Sequence, residues 1–244
     1  MTTSSDHEPS SLAQLRVTPK TLVEEVKIKL KQAIFMGLLK PGDRLVEAEL
    51  CASLGVSRPA LREAIRGLEA EKLCEITPHR GAQIPVLSWR DAEELYHVRS
   101  LVECEAVALC AANINADGVI ALKKALDRFG EAARKADGYQ RVDATTEFYS
   151  VILKSSGNSV IEGILMGLLA RVNFLRARSM SVDGRSKQSY AEMVAIYEAI
   201  RMKDPKAARL AAQTHVAKAR ETARSSYFSA NGEAIPPVGR KAKA

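Results

Sequence analysis

From Trp89 to about Phe228 the chain never departs from helical spacing for more than a few residues, and this limits its fold more than any other feature. Six segments read as helix: 89–113, 116–136, 139–155, 158–180, 187–202 and 205–228. They are broken only at Asn113-Ile114-Asn115, Asp137-Gly138, Ser156-Gly157-Asn158, Asp183-Gly184 and Asp204-Pro205, the short polar or glycine-bearing stops that end helices. Ser88-Trp89-Arg90-Asp91 opens the series as a capping box, with Asp in the position where Glu is commoner. Composition agrees. Aromatic residues are only 5% while Ala, Leu, Glu, Lys and Arg abound, which favours helix.

The residues before Trp89 have a different texture. Residues 1–18 are polar and Ser/Thr-rich and are expected to form a flexible arm. A helix starts at Thr21, with Leu22, Val26, Leu30, Ala33 and Ile34 on one face, and stops at Gly37 and the turn Lys40-Pro41-Gly42-Asp43. A second runs from Glu47 to Leu54 and ends at Gly55. A third follows Ser57, a suitable N-cap, with Pro59 in its first turn and Leu61, Ile65 and Leu68 on its apolar face. Two alternating stretches, Leu73–Ile76 and Ala82–Val86, flank a hairpin tip at Thr77-Pro78-His79-Arg80-Gly81. A leading helix, two short helices joined by a Gly-Val turn, and a hairpin make a winged helix-turn-helix. The whole chain is then mostly α: a flexible arm over 1–18, a winged helix-turn-helix DNA-binding domain over 19–88, an all-helical domain over 89–228, and a disordered tail over 229–244.

In such a unit the second short helix enters the major groove and presents its first residues to base edges. Here those are Ser57, Arg58, Pro59, Ala60 and Arg62, and Arg58, Arg62 and Arg66 recur every four residues opposite the apolar face. A guanidinium can bond guanine O6 and N7 together or clamp a phosphate. The flanking turn and wing assign Arg58 and Arg62 to DNA. Arg66 is balanced between a phosphate and its neighbours Glu63 and Glu69. Net charge adds little: the excess of 36 basic over 29 acidic residues gives +7, which permits a polyanionic partner without locating it.

The runs Leu39-Lys40-Pro41-Gly42-Asp43-Arg44-Leu45, Leu54-Gly55-Val56-Ser57-Arg58 and Leu61-Arg62-Glu63-Ala64, with the wing Ile76-Thr77-Pro78-His79-Arg80-Gly81-Ala82, resemble the GntR superfamily of bacterial transcription regulators. The resemblance implies that Ser57, Arg58 and Arg62 contact DNA and that Gly81 at the wing tip approaches the minor groove; His79, by its place in the wing, is expected to contact a phosphate, with a simple turn residue as the alternative. Usual members read Ser-Arg-Thr-Pro-Val-Arg where this chain has Ser57-Arg58-Pro59-Ala60-Leu61-Arg62, which removes a hydroxyl that often touches DNA.

The helical half resembles the FadR subgroup with its FCD-type effector domain, through Tyr96-His97-Val98-Arg99 with Glu103, Ser156-Gly157-Asn158, Glu198-Ala199-Ile200 with Asp204, and His215. That implies that residues 89–228 form an antiparallel helical bundle for effector binding and dimerisation, and that a symmetric dimer reads a palindromic operator. Many members hold a divalent metal with one Asp and three His. The corresponding positions here are Thr145, Tyr149, Met193 and His215, and a hydroxyl, a phenol, a thioether and one imidazole are a poor cage for zinc or nickel. No metal and no other cofactor is therefore expected. Arg99 is the one cation that the resemblance aims at this pocket, so an anionic effector, an organic acid or acyl-type ligand, is expected to meet Arg99, Thr145, Tyr149, Met193 and His215 directly. Two plainer roles stand beside this: Arg99 can pair with Glu103 one turn on, and His215 can be a core histidine.

The function that follows is a ligand-responsive transcription regulator, in this family usually a repressor, acting on double-stranded DNA as a homodimer. The alternatives are an architectural DNA-binding protein with a non-functional effector pocket and an enzyme of the helical domain. No nucleophile–base set or carboxylate pair supports the enzyme. Cys51, Cys74, Cys104 and Cys110 form no Cys-x-x-Cys pair and have no His at zinc spacing. No apolar run is long enough for a bilayer and no secretory leader is present, so a cytoplasmic protein without membrane partners is expected.

Overall fold

Val26, Leu30 and Ile34 line the buried side of α1 (Leu22–Phe35), which closes at Gly37, where φ is +75°. The computed structural model describes residues 22–78, 81–86, 88–135, 138–180 and 182–231. α2 (Glu47–Leu54) ends because Gly55 adopts φ 66° and ψ 34°, a left-handed conformation that returns its N–H to the Cys51 carbonyl. α3 (Arg58–Ala70) starts after extended Ser57 and buries Leu61, Ala64, Ile65 and Leu68. These side chains meet those of α1, with Leu45, Leu73, Cys74 and Ile84, in one core.

The wing is shorter than the alternation predicts. β1 (Glu75–Thr77) pairs antiparallel with β2 (Gly81–Gln83), Thr77 opposite Gly81. Leu73 and Cys74 leave the strand because both are buried in the core as a link from α3. Pro85 has no N–H to continue the ladder. A third extended segment takes up the outer edge of β2 instead: the Leu45 N–H donates to the Ala82 carbonyl at 2.8 Å, and the Ile84 N–H to that of Asp43 at 2.9 Å. The tip residues His79 and Arg80 lie outside the described residues.

The remaining helices are α4 (Trp89–Asn113), α5 (Ala116–Arg134), α6 (Gly138–Ser156), α7 (Ser159–Met180), α8 (Arg185–Arg201) and α9 (Pro205–Asn231). Side chains set their ends. Ser88 and Asp91 form the reciprocal capping box, while Asn115, Asn158 and Asp204 accept from the first N–H groups of α5, α7 and α9. α8 begins two residues earlier than its spacing suggests, at Arg185, and α9 continues to Asn231 rather than stopping at Phe228. α4 packs along α9 and α6, α5 against α6 and α8, and α8 against α9. The links after α5 and α8 are too short to carry the chain back along a helix, so those neighbours run antiparallel.

One helix belongs to both halves. On α7, Val172 and Leu175 pack with Ala92, Leu95, Tyr96, Val216 and Ala219 inside the bundle. Phe174, between them, is buried in the core of the winged unit. α1 also touches α6, where Gln32 Nε2 donates to the Tyr139 hydroxyl at 3.0 Å.

Candidate functional site

Two sites emerge, one on each half. On α3 the first turn is exposed. Ser57 occupies the N-cap position, but its side chain makes no capping bond, so the hydroxyl is left for another partner. Arg58 is exposed beside it. Arg62 is held: its Nε donates to both carboxylate oxygens of Glu47, at 2.8 and 3.0 Å. The Arg62 guanidinium, in turn, lowers the Glu47 pKa from its ordinary value. Arg66 reaches Glu63, one turn back, at 3.4 Å. Between α3 and the wing runs a groove of about 550 Å³ lined by Arg44, Glu47, Arg62, Arg66 and Gly81, among others. Gly81 has φ +81°, which suits a residue without a side chain.

The second site lies within the bundle. Arg99 is fully buried and grips Glu103, Nε to Oε1 at 2.8 Å and Nη2 to Oε2 at 3.3 Å. Arg176 from α7 donates to the same Oε1 at 3.4 Å and to Asn173 Oδ1 at 3.1 Å, and stacks over the Tyr149 ring, 4.4 Å from its centroid. Arg185 forks onto Glu192 at 3.1 and 2.9 Å, and Glu192 also accepts from His215 Nδ1 at 2.8 Å. Three guanidiniums thus face two carboxylates, which leaves one positive charge when His215 is neutral.

Burial alone would raise the pKa of Glu103, but Arg99 and Arg176 outweigh it and hold the carboxyl below its usual range. For Glu192, burial is likewise overcome, by the hydrogen bonds from His215 and Arg185. Burial pushes the His215 imidazole below its ordinary value, with the bond to Glu192 opposing. His215 is therefore neutral near pH 7, with Nδ1 as the donor. Among the described residues, Arg99 Nη1, Arg176 Nε, Arg185 Nε and the Tyr96 and Tyr149 hydroxyls are buried and have no hydrogen-bond partner. Tyr96 and all three arginines line one cavity with Ser189 and His215. It holds about 10 Å³, close to the room needed by one water.

Of the five residues expected to meet an effector, Arg99 and His215 line this cavity, and Tyr149 lies under Arg176. Thr145 and Met193 are core residues outside its lining, and the Thr145 hydroxyl donates to its own helix, at the Arg141 carbonyl. Arg99 does pair with Glu103, the plainer role foreseen for it. The expectation of a single cation is corrected: Arg176 and Arg185 stand beside Arg99, because α7 and α8 turn these side chains inward. Only Arg185 carries a sequence signal, Glu192 seven residues on, two turns along the same helix face.

The four positions that correspond to metal ligands do not fit a divalent ion. Thr145, Tyr149 and Met193 are weak donors, His215 Nδ1 is committed to Glu192, and a guanidinium already sits on Tyr149. Asp143 and Glu147 are both engaged by Arg128. Among the described residues no group of three His, Cys, Asp or Glu stands together at metal-binding distance. No described helix is long and apolar enough to cross a membrane.

Comparison with known proteins matches both halves. Residues 22–84 match the bacterial regulatory proteins of the gntR family, and residues 94–218 match the FCD domain. The HTH-type transcriptional regulator YdhC of Bacillus subtilis (strain 168) is 29% identical over 182 residues, 74% of this chain and 81% of that protein. The galactonate operon transcriptional repressor of Escherichia coli (strain K12) is 29% identical over 216 residues, 80% and 93% of the two. Among solved structures, McbR/YncC of E. coli covers 86% of this chain and all of that one, with a TM-score of 0.74 at 22% identity, a likeness of fold. A GntR transcriptional regulator of Rhodococcus sp. RHA1 covers 82% and 96%, with a TM-score of 0.69 at 25% identity.

Proposed function

The chain belongs to the GntR family of bacterial regulatory proteins and carries an FCD domain, and we propose that a small carboxylate, bound by the arginines of that domain, controls its hold on DNA. It is a DNA-binding transcription regulator and not an enzyme. Related regulators are named as repressors, and repression is the mode proposed here. The reading helix is α3. Ser57, Arg58 and Arg62 approach base edges, Arg66 and His79 approach phosphates, and Gly81 lets the wing lie close to the minor groove.

One observation carries the effector assignment: a surplus guanidinium charge buried together with donors that have no acceptor among the described residues. Unmade bonds of this kind are costly inside a protein, and a carboxylate would satisfy several at once. Tyr96, Met180 and Ala219 border the same space, which suits an acyl or aromatic body behind the acid group. A cavity of about 10 Å³ cannot take such a molecule as it stands. Binding therefore selects an opened arrangement in which α7 and α8 shift. Arg176 lies two residues from Phe174, so such a shift reaches the core of the DNA-reading unit.

Arg99→Ala is a poor test, because stripping one partner from a buried ion pair costs roughly 3–5 kcal/mol. Arg176→Met removes the surplus guanidinium instead and leaves Glu103 paired with Arg99 and Glu192 with Arg185. Thermal-shift screening of mono- and dicarboxylates against the wild type is expected to find ligands that raise the melting temperature and release bound DNA. The Arg176→Met variant is expected to bind the same DNA and lose both responses. If the variant keeps them at wild-type ligand concentrations, the site lies elsewhere.

A further inference from the structure

We infer that Glu47, on the helix before the reading helix, is a specificity-determining residue that sets the face Arg62 presents to DNA. The inference rests on α3 being the reading helix. Glu47 takes the Nε edge of the guanidinium with both of its oxygens, at 2.8 and 3.0 Å. Nη1 and Nη2 are left without a protein partner among the described residues. A guanidinium has two edges that can meet guanine in a bidentate way, the Nε/Nη side and the Nη1/Nη2 end, and the pair with Glu47 removes the first. Arg62 is then committed to end-on recognition of O6 and N7.

The arrangement also limits how freely Arg62 moves. Its side chain is 60% exposed, and an unpaired arginine there would sample many rotamers and grip phosphates as readily as bases. Glu47 is the less exposed partner, at 35%, and stands in the first turn of α2, where a carboxylate also favours the helix dipole. Both residues line the groove between α3 and the wing, the same space that a base edge would enter. A carboxylate in that groove repels phosphates. It therefore weakens binding to arbitrary DNA while sharpening the contact with one base, and these effects have opposite signs.

The opposition makes the test decisive. Full-length wild type, Glu47→Ala, Glu47→Gln, Arg62→Ala and Arg58→Ala are each used to enrich sites from a random pool of duplex DNA. Arg62→Ala is expected to relax one guanine in each half-site, and Glu47→Ala to relax that same guanine at least about fivefold, the lower end of a bidentate contact. Arg58→Ala should relax a different position. Glu47→Gln, which keeps one acceptor for Nε–H, should retain part of the preference. Affinity of Glu47→Ala for unselected random duplex should rise as its selectivity falls. A merely helix-capping role for Glu47 would change melting temperature and leave the enriched sequence intact. That result overturns the inference, as does an Arg62→Ala protein that still selects the wild-type site. A wild type that enriches no sequence overturns the DNA-reading assignment itself, a separate outcome.

Discussion

Glu103, Glu192 and His215 share a property that dominates the chemistry of the bundle: each binds its proton less tightly in the folded chain than in water. The native state therefore holds fewer protons than the unfolded state, and stability rises with pH wherever they titrate. The His215 contribution is complete above its ordinary value of 6.5 and fades as pH falls through the lower folded value; those of the two carboxylates fade below about 4.5. Melting temperature should fall in two stages, one below pH 6.5 as His215 titrates and one below about pH 4.5 as the carboxylates do, and His215→Gln should flatten the upper stage. A melting temperature that rises on acidification would contradict the assignment of neutral His215 and ionised glutamates. On the other half, Arg58 and Arg66 should separate by kind. Arg58→Ala should cost about 1–3 kcal/mol at the preferred site and little at random duplex. Arg66→Ala should weaken all sequences alike and flatten the dependence on salt, measured by fluorescence anisotropy over a salt series.

At the level of elements, α7 serves three environments within five residues. Val172 and Leu175 fasten it to α4 and α9, Asn173 and Arg176 enter the charged cluster, and Phe174 enters the winged core. Phe174→Ala should cost about 3–5 kcal/mol of stability by leaving a cavity. The carboxylate thermal shift should survive in that variant while ligand-driven release of DNA is lost. Full release with Phe174→Ala would place the coupling in another contact. Much of the frame that holds these elements was legible in the chain. Period and punctuation marked every helix, since Gly55, Asn115, Asn158 and Asp204 act through local bonds that local sequence records. The wing was less legible, because its third extended segment, 42–45, comes from a stretch that reads as a turn. Arg176, whose partner Glu103 lies 73 residues away, was hidden for another reason. Nothing in a helix's own spacing tells whether a charged residue faces water or a partner charge on a helix far along the chain.

As a whole molecule, the chain carries one α3 and so one reading surface. The expected dimer would double it: sedimentation should give twice the mass of one chain, and a palindrome with half-sites about one helical turn apart should bind far more tightly than a lone half-site. Equal affinity for the two duplexes would remove the dimer from the account. The tightness of the bundle cavity has a consequence in time. A space of about 10 Å³, lined by three arginines tied to Glu103 and Glu192, would admit a ligand only while it is open. The opened fraction scales down the apparent affinity, and the frequency of opening caps the rate of response however much ligand is present. A regulator that takes its effector there would act as a low-pass filter. Surges shorter than the interval between openings would pass without effect, and only a sustained supply would reach the operator.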